Sequence, residues 1–413
     1  HKKWTTYNLY MYLTHISLTN FRCFSRLDLS FPREIFLLVG ENAQGKTTLL
    51  EAIYFLSTIT SFQASSDRQL INFALPENNI NVGRIIGEFH KKDTKHRIEV
   101  RLIREHNGFN GNSRFRKEIL LDGVKKKLNE VVGSFNAVIF LPQMSRIIEE
   151  GPSERRRYLD MLISQVSPRY VGHLSDYLQT LSQRNALLKQ LGERGGDSQQ
   201  LAVWDGMLAR HGAFIMQERI AAIREMEQFA KRIHYDLSNS REVLRLDYQP
   251  AYEPLVTPEG QLSLHVSAVA DRSGLSLDEI ESGMLLALQK LQKEEIARGI
   301  TTIGPHRDEL RFLSNQVDLG DYGSRGQGRT ALLAMKLAEV DWLHLRTGEW
   351  PVLLLDETMS ELDIHRRKDL LQALSNCDQA ILTTTDLAMF EPHFVESHPI
   401  WHVAGGMVQP EER

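Results

Sequence analysis

Residues 40 to 47 read Gly40-Glu41-Asn42-Ala43-Gln44-Gly45-Lys46-Thr47, the pattern G-x-x-x-x-G-K-T. Gly40 and Gly45 let a backbone curl tightly enough to aim its amides at phosphate oxygens. Lys46 supplies a point charge for β and γ phosphates, and the Thr47 hydroxyl is a ligand for Mg²⁺. Thr48 continues into a helix whose N-terminal dipole favours an anion. Far along the chain, Asp356 and Glu357 end the apolar run Val352-Leu353-Leu354-Leu355. A carboxylate at the end of a buried strand can reach a magnesium shell. A second carboxylate one residue on can polarise a water that attacks the γ phosphate. The two segments together predict a site for ATP and Mg²⁺, with Lys46, Asp356 and Glu357 as its catalytic groups.

These residues need strand ends to hold them. The apolar run Glu34 to Val39 before the glycine loop and the amphipathic run Thr48 to Leu56 after it give strand, loop and helix. Residues 11–141 read mainly as strands around that one helix. Alternation over Leu13–Leu18 and His96–Ile103 suits half-buried strands, and Ala137–Leu141 suits a fully buried one. Gly151-Pro152 marks a helix start, and Ser153 to about Gly299 is largely helical. Within that stretch Gln249 to Gln261 reads as a connector, Ser276 and Glu279 form a capping box, and Gly299 is a helix stop. A helix from Gly328 to Leu345, a strand at 351–356, a helix near 363–374 and a strand at 379–385 restore an α/β rhythm. The expected organisation is a nucleotide-binding lobe from both chain ends, 11–143 and 340–413, with a helical lobe, 144–339, inserted between them. Met11-Tyr12-Leu13 reads like a start, so residues 1–10 are expected to be a tag or upstream extension.

Composition sets the outer bounds. At 413 residues with 42% apolar and 25% charged content, the chain suits a globular protein of two or three lobes. No apolar run is long enough for a transmembrane helix. Cys23 and Cys377 support neither a disulfide framework nor a zinc site, which fits a reducing, cytoplasmic setting. The net charge of −4 argues against a wholly basic nucleic-acid binder. From Arg84 to Lys127, however, 13 Lys and Arg face 6 Asp and Glu. Such a stretch either meets phosphate backbones or is the solvated face of a charged sheet. Arg155-Arg156-Arg157 offers the same choice between nucleic acid and surface ion pairs.

Further motifs carry a resemblance. Ser324-Arg325-Gly326-Gln327 precedes a helix and resembles the signature of ABC ATPases, which caps the γ phosphate of the opposite subunit, with Ser324, Gly326 and Gln327 matching. Ser360-Glu361-Leu362-Asp363 resembles a D-loop, which would put Asp363 near nucleotide. Gln143 stands where a Q-loop glutamine would reach Mg²⁺ and water. Thr385 stands where transporters of this superfamily carry a switch histidine. The long gap from Lys46 to Ser324 and the helical insertion resemble the SMC and double-strand-break repair class, without its long coiled-coil arm or C-x-x-C hook.

Leu18-Thr19-Asn20-Phe21-Arg22, Gln183 to Leu188, Val203-Trp204-Asp205 and Gly304-Pro305-His306-Arg307-Asp308 resemble the bacterial RecF family from Met11 to about Gly406. The family usually carries an acidic residue near the Gln143 position. The resemblance implies an ABC/SMC-type P-loop ATPase head and an ATP-dependent homodimer. It further implies binding to gapped or single-strand/duplex junction DNA with RecO and RecR, helping RecA loading in repair, replication restart and SOS induction. Hydrolysis is expected to be slow, because Thr385 cannot carry a proton as histidine does, and the resemblance implies that DNA stimulates it. Arg22, near the nucleotide-binding strand, is expected to touch nucleotide. Read apart from the family, Gly304 to Asp308 is a structural corner holding His306 and Arg307 in ion pairs. Two other functions stay open: an ABC-type subunit energising transport, and a scaffold with a vestigial nucleotide site.

Overall fold

A computed structural model describes residues 11–76, 80–106, 113–255, 269–374 and 377–411. The expectation for residues 1–10 and the part of the Gln249–Gln261 connector from 256 onward lie outside the described residues. The chain divides into two compact units, His1–Met144 with Glu339–Arg413, and Ser145–Ala338. Among the described residues no helix is long and apolar enough to cross a membrane.

The first unit holds two six-stranded sheets. One is antiparallel, in the order Phe24–Ser30, Met11–Phe21, Ile80–Lys91, Thr94–His106, Ser113–Leu121, Val124–Lys126. The other runs Met407–Pro410, Ile400–Ala404, Ile35–Val39, Ala380–Thr384, Val352–Asp356, Ala137–Phe140, and is parallel except for its Met407–Pro410 edge. The strands Val352–Asp356 and Ala137–Phe140 are buried on both faces, which is why Val352 to Leu355 and Ala137 to Phe140 are unbroken apolar runs. The helix Lys46–Thr58 contacts strands of both sheets. Leu49 to Leu56 are all buried, so this helix lacks the polar stripe of a surface helix. Gln379, fully buried, accepts from Leu13 N–H at 2.8 Å and donates to the carbonyls of Leu13 and Pro32 at 2.9 and 2.7 Å. Its amide thereby ties the two sheets together with every polar atom used.

The second unit packs Pro168–Arg194, Leu201–Leu237 and Leu277–Arg298 against one another. Arg184, wholly buried on the first of these helices, pairs with Asp205 and Glu295 at 2.7 Å each and donates to Thr301 at 2.8 Å. Ser276 and Glu279 make the expected capping box, and Gly299 ends the helix at φ 69. One element departs from the helical expectation. Leu244–Gln249 is a strand, paired with Glu309–Ser314 in a three-stranded antiparallel sheet. Leu244, Leu246 and Tyr248 are its buried residues, a period of two that the surrounding helical signal masks in sequence.

The Gly304–Asp308 corner also differs from its expected pairing. Asp308, not His306 or Arg307, carries the ion pair, with Arg219 at 3.2 Å. Arg219 is buried and also reaches Asp160, Tyr170 and the Pro305 carbonyl. Arg307 is exposed. His306 Nε2 faces the Thr301 carbonyl, an acceptor only, so the proton sits on Nε2. Nδ1 then accepts from the Tyr177 hydroxyl at 2.6 Å.

Burial lowers the His306 pKa from 6.5 to about 4. A depressed histidine contributes stability that is full above about 6.5 and is lost as pH falls toward about 4, because the unfolded chain takes up the proton first. His306→Gln should therefore flatten the loss of stability between pH 7 and 4.5 by up to about 2–3 kcal/mol. Urea unfolding of parent and variant at the two pH values checks this; parallel losses would contradict it.

Candidate functional site

Both glycines of the phosphate loop have steric reasons. A side chain at Gly40 would place its Cβ 2.4 Å from the Val403 carbonyl oxygen, and one at Gly45 would meet Phe24 at 2.9 Å. Gly45 also sits at φ 111, where L-residues are strained. Gln44 accepts from the Gly405 N–H at 2.7 Å and fastens the loop to the edge of the parallel sheet. Glu41, Asn42 and Ala43 are exposed along the loop, while Thr48 is half-buried in the first turn of the helix.

Strand register brings the chemical groups level. Asp356 pairs with Thr383, and Thr384 pairs with Val39, so three parallel strands end together. Thr47 Oγ1 donates to Asp356 Oδ2 at 2.7 Å, and Thr383 Oγ1 donates to Asp356 Oδ1 at 2.8 Å. Burial pushes the Asp356 carboxyl above its ordinary range, and the two threonine hydroxyls pull against that shift. Lys46 is 5% exposed. Its Nζ lies 3.0 Å from Glu357 Oε1 and also donates to the carbonyls of Gly40 and Glu41. Glu357 adopts φ 47 and Ala43 φ 63, so two non-glycine residues take left-handed backbone at this one site. Backbone strain of that kind gathers at functional sites.

A hydroxyl and a carboxylate are hard oxygen ligands, which suits Mg²⁺. Among the described residues no group of three or more His, Cys, Asp or Glu could hold a metal. Thr47 and Asp356 therefore fit an ion that takes its other ligands from phosphate and water.

Four further expected site residues, Gln143, Thr385, Arg22 and Asp363, make no hydrogen bond to Lys46, Thr47 or Asp356 among the described residues. Gln143 is exposed in a short helical turn beyond the strand Ala137–Phe140, and it is not among the partners of Lys46, Thr47 or Asp356. Thr385 is exposed beyond the end of its strand; Thr383, two residues earlier, is the threonine that holds Asp356. Arg22 is held by a carboxylate of its own chain. It forks onto the buried Glu51 of the P-loop helix at 2.8 and 3.0 Å. Asp363 caps the helix Ile364–Leu374 by accepting from the N–H groups of His365 and Arg366 at 3.1 and 3.0 Å. The Arg366 N–H is the largest of the causes that hold its pKa low.

The Ser324 turn lies in the second unit. It is the first turn of the helix Arg325–Thr347, which starts ahead of the expected Gly328. Ser324 N–H donates to Gln327 Oε1 at 3.0 Å, and Gln327 N–H donates to Ser324 Oγ at 3.2 Å, a reciprocal capping box. Ser324 and Gly326 are exposed. Sequence reasoning missed Glu242, which accepts from Gln327 Nε2 at 3.0 Å; no local pattern points to a partner so distant in the chain.

The basic stretches are largely paired. Glu99 gathers Arg84, Arg97 and Arg101 within 3.4 Å. Glu118 takes Arg116 and Lys125, and Asp67 takes Lys117. Arg155 forks onto Glu309 at 2.7 Å, and Arg156 donates to the Asp308 carbonyl. Arg155 and Arg156 thus serve the packing of their own unit.

Residues 12–402 match the family model described as RecF/RecN/SMC N terminal domain. The DNA replication and repair protein RecF of Herpetosiphon aurantiacus is 35% identical over 412 residues, covering 97% of this chain and 100% of its own. Its counterpart in Roseiflexus castenholzii is 37% identical over 411 residues, with the same coverage. A solved structure of the recombination mediator protein RecF-ATP in the RecFOR pathway matches with a TM-score of 0.81 at 33% identity, covering 100% of both chains. The chain belongs to the RecF family and has its fold, an ABC/SMC-type P-loop ATPase head with a large helical insertion.

Proposed function

We propose that this chain is an ATP-dependent, DNA-binding recombination mediator. It recognises gapped or single-strand/duplex junction DNA and, with RecO and RecR, promotes RecA loading. ATP is hydrolysed slowly in a site that two copies of the chain complete together. The observation that carries this is the cluster of Lys46, Thr47, Asp356 and Glu357 on level strand ends. The naming of the relatives as DNA replication and repair proteins, and the RecFOR pathway of the matching structure, support the DNA part.

In the ligand-free chain Lys46 is held by Glu357 and by loop carbonyls. A triphosphate on the loop competes for Nζ and leaves Glu357 able to take a proton from water. Thr47 and Asp356 would hold Mg²⁺, which neutralises charge developing on the phosphates when bound. Glycine in a helix costs about 1 kcal/mol against alanine, yet a Cβ at Gly326 would meet nothing nearer than Ser324 Oγ at 3.9 Å. Since no packing among the described residues requires that glycine, a close approach from outside supplies a reason for it. A phosphate bound by a second copy fits the open N–H groups of this helix start.

For DNA, the antiparallel sheet offers Arg84, Arg97 and Arg101 on one face, 40 to 44% exposed, sharing the single carboxylate of Glu99. That leaves positive charge over for phosphates. The test is duplex-junction binding with ATP across a salt series. A steep fall in affinity with salt is expected, as counterion release requires, and Arg84→Ala with Arg101→Ala should lower the slope by about 2. A flat salt response, or an unchanged slope, would remove this face from the DNA interface.

A further inference from the structure

We infer that Glu242 is a positioning residue for the Ser324 turn, acting through the side chain of Gln327. A glutamine amide can present its oxygen or its nitrogen to a given neighbour with almost no change of shape. Near Gln327 those two choices have opposite consequences. Its Oε1 accepts the Ser324 N–H at 3.0 Å, and its Nε2 donates to Glu242 Oε1 at 3.0 Å. An ionised carboxylate only accepts, so Glu242 admits the nitrogen and rejects the oxygen. The amide is thereby locked with Oε1 toward Ser324. Turned over, it would set an NH₂ group against the Ser324 N–H and an oxygen against the carboxylate.

Glu242 is itself held firmly enough to act as a reference point. Its second carboxylate oxygen accepts from Ser314 Oγ at 2.8 Å. Its backbone N–H donates to Ser238 Oγ at 3.1 Å, and its side chain lies 3.8 Å from His234. It stands between the end of the helix Leu201–Leu237 and the strand Leu244–Gln249. Both elements are remote in sequence from the turn they orient. With Gln327 locked, Ser324 Oγ is kept as the acceptor for the Gln327 N–H. The Ser324 hydroxyl proton and the first-turn N–H groups of Arg325 and Gly326 are then left for an external anion.

The inference rests on the composite-site proposal, and the experiment separates the two. Parent, Glu242→Ala, Glu242→Gln, Gln327→Ala and the Glu242→Ala/Gln327→Ala double variant are compared by sedimentation with Mg-ATP. Binding of a fluorescent ATP analogue to the monomer and thermal melting are read alongside. Glu242→Ala should weaken the ATP-dependent dimer about tenfold, the worth of one charge-assisted hydrogen bond, with monomer nucleotide affinity unchanged. Glu242→Gln, which keeps an acceptor but loses the enforced orientation, should fall between the two. The double variant should be no weaker than Gln327→Ala, because both changes break the same link. A parent-like dimer in both Glu242 variants while Gln327→Ala fails to dimerise would overturn the inference alone, as would additive losses in the double variant. A parent-like dimer in Gln327→Ala would overturn the composite site and this inference with it.

Discussion

Lys46→Ala should weaken ATP binding by about 10²–10³-fold, the loss of one or two charge-assisted hydrogen bonds to phosphate. The side chain is almost fully enclosed by the loop it serves, and its ammonium is bonded to Gly40, Glu41 and Glu357. Arg22, the other cation expected near the nucleotide, is already forked onto Glu51. The variant also strands the Glu357 carboxylate beside Asp356, whose own pKa is raised by burial and, to a lesser degree, by that neighbouring charge. Equilibrium titration with a fluorescent ATP analogue checks the expectation. An affinity within tenfold of the parent would mean that the loop amides alone hold the phosphates.

Ser324→Arg should leave the monomer's affinity for ATP unchanged and reduce ATP-driven association by about a hundredfold or more. Three separate losses add up at this position. The hydroxyl that accepts from the Gln327 N–H disappears, and a lost N-cap costs about 0.5–2 kcal/mol. The long arginine stem is set against the Gln327 amide, whose oxygen accepts from the backbone N–H of this residue. The exposed position beside Gly326, where an added Cβ would meet nothing nearer than Ser324 Oγ at 3.9 Å among the described residues, becomes crowded. An arginine could attract a phosphate, but it would stand where the phosphate must lie. Joint loss of monomer ATP binding would show that this turn acts on nucleotide within its own chain.

The P-loop, the strand ending at Asp356 and the alternation of sheet and helix were readable because each rests on local pattern. A glycine motif between an apolar run and an amphipathic run leaves few other structures. What escaped depends on register and on distance in sequence. Thr383, Thr384 and Thr385 are chemically alike; only pairing with Asp356 makes Thr383 the one that bonds it. Glu242 and Gln327 meet through tertiary packing, with nothing in either neighbourhood to announce the other. The helix Arg325–Thr347 begins earlier than expected because Ser324 and Gln327 cap each other and offset the poor helix propensity of Gly326 and Gly328. The resemblance to a D-loop over Ser360 to Asp363 gave no sign that the Asp363 carboxylate caps the following helix.

Charge showed the same division. The excess of cations from Arg84 to Lys127 was countable, but cross-strand neighbours decide how much of it is spent. Arg101 lies opposite Glu118 and Arg84 opposite Arg101, while Glu99 on the middle strand neutralises one charge among three arginines. Composition alone could not distinguish that partly compensated face from a bare basic patch.

Sedimentation velocity of the unmodified chain, with Mg-ATP and without nucleotide at the same protein concentration, tests the composite site most directly. A monomer without nucleotide that becomes a dimer with ATP is the predicted result, since a ligand enclosed by two copies must favour their association. Equal dimerisation in both samples, or a monomer that persists at saturating ATP, would contradict it.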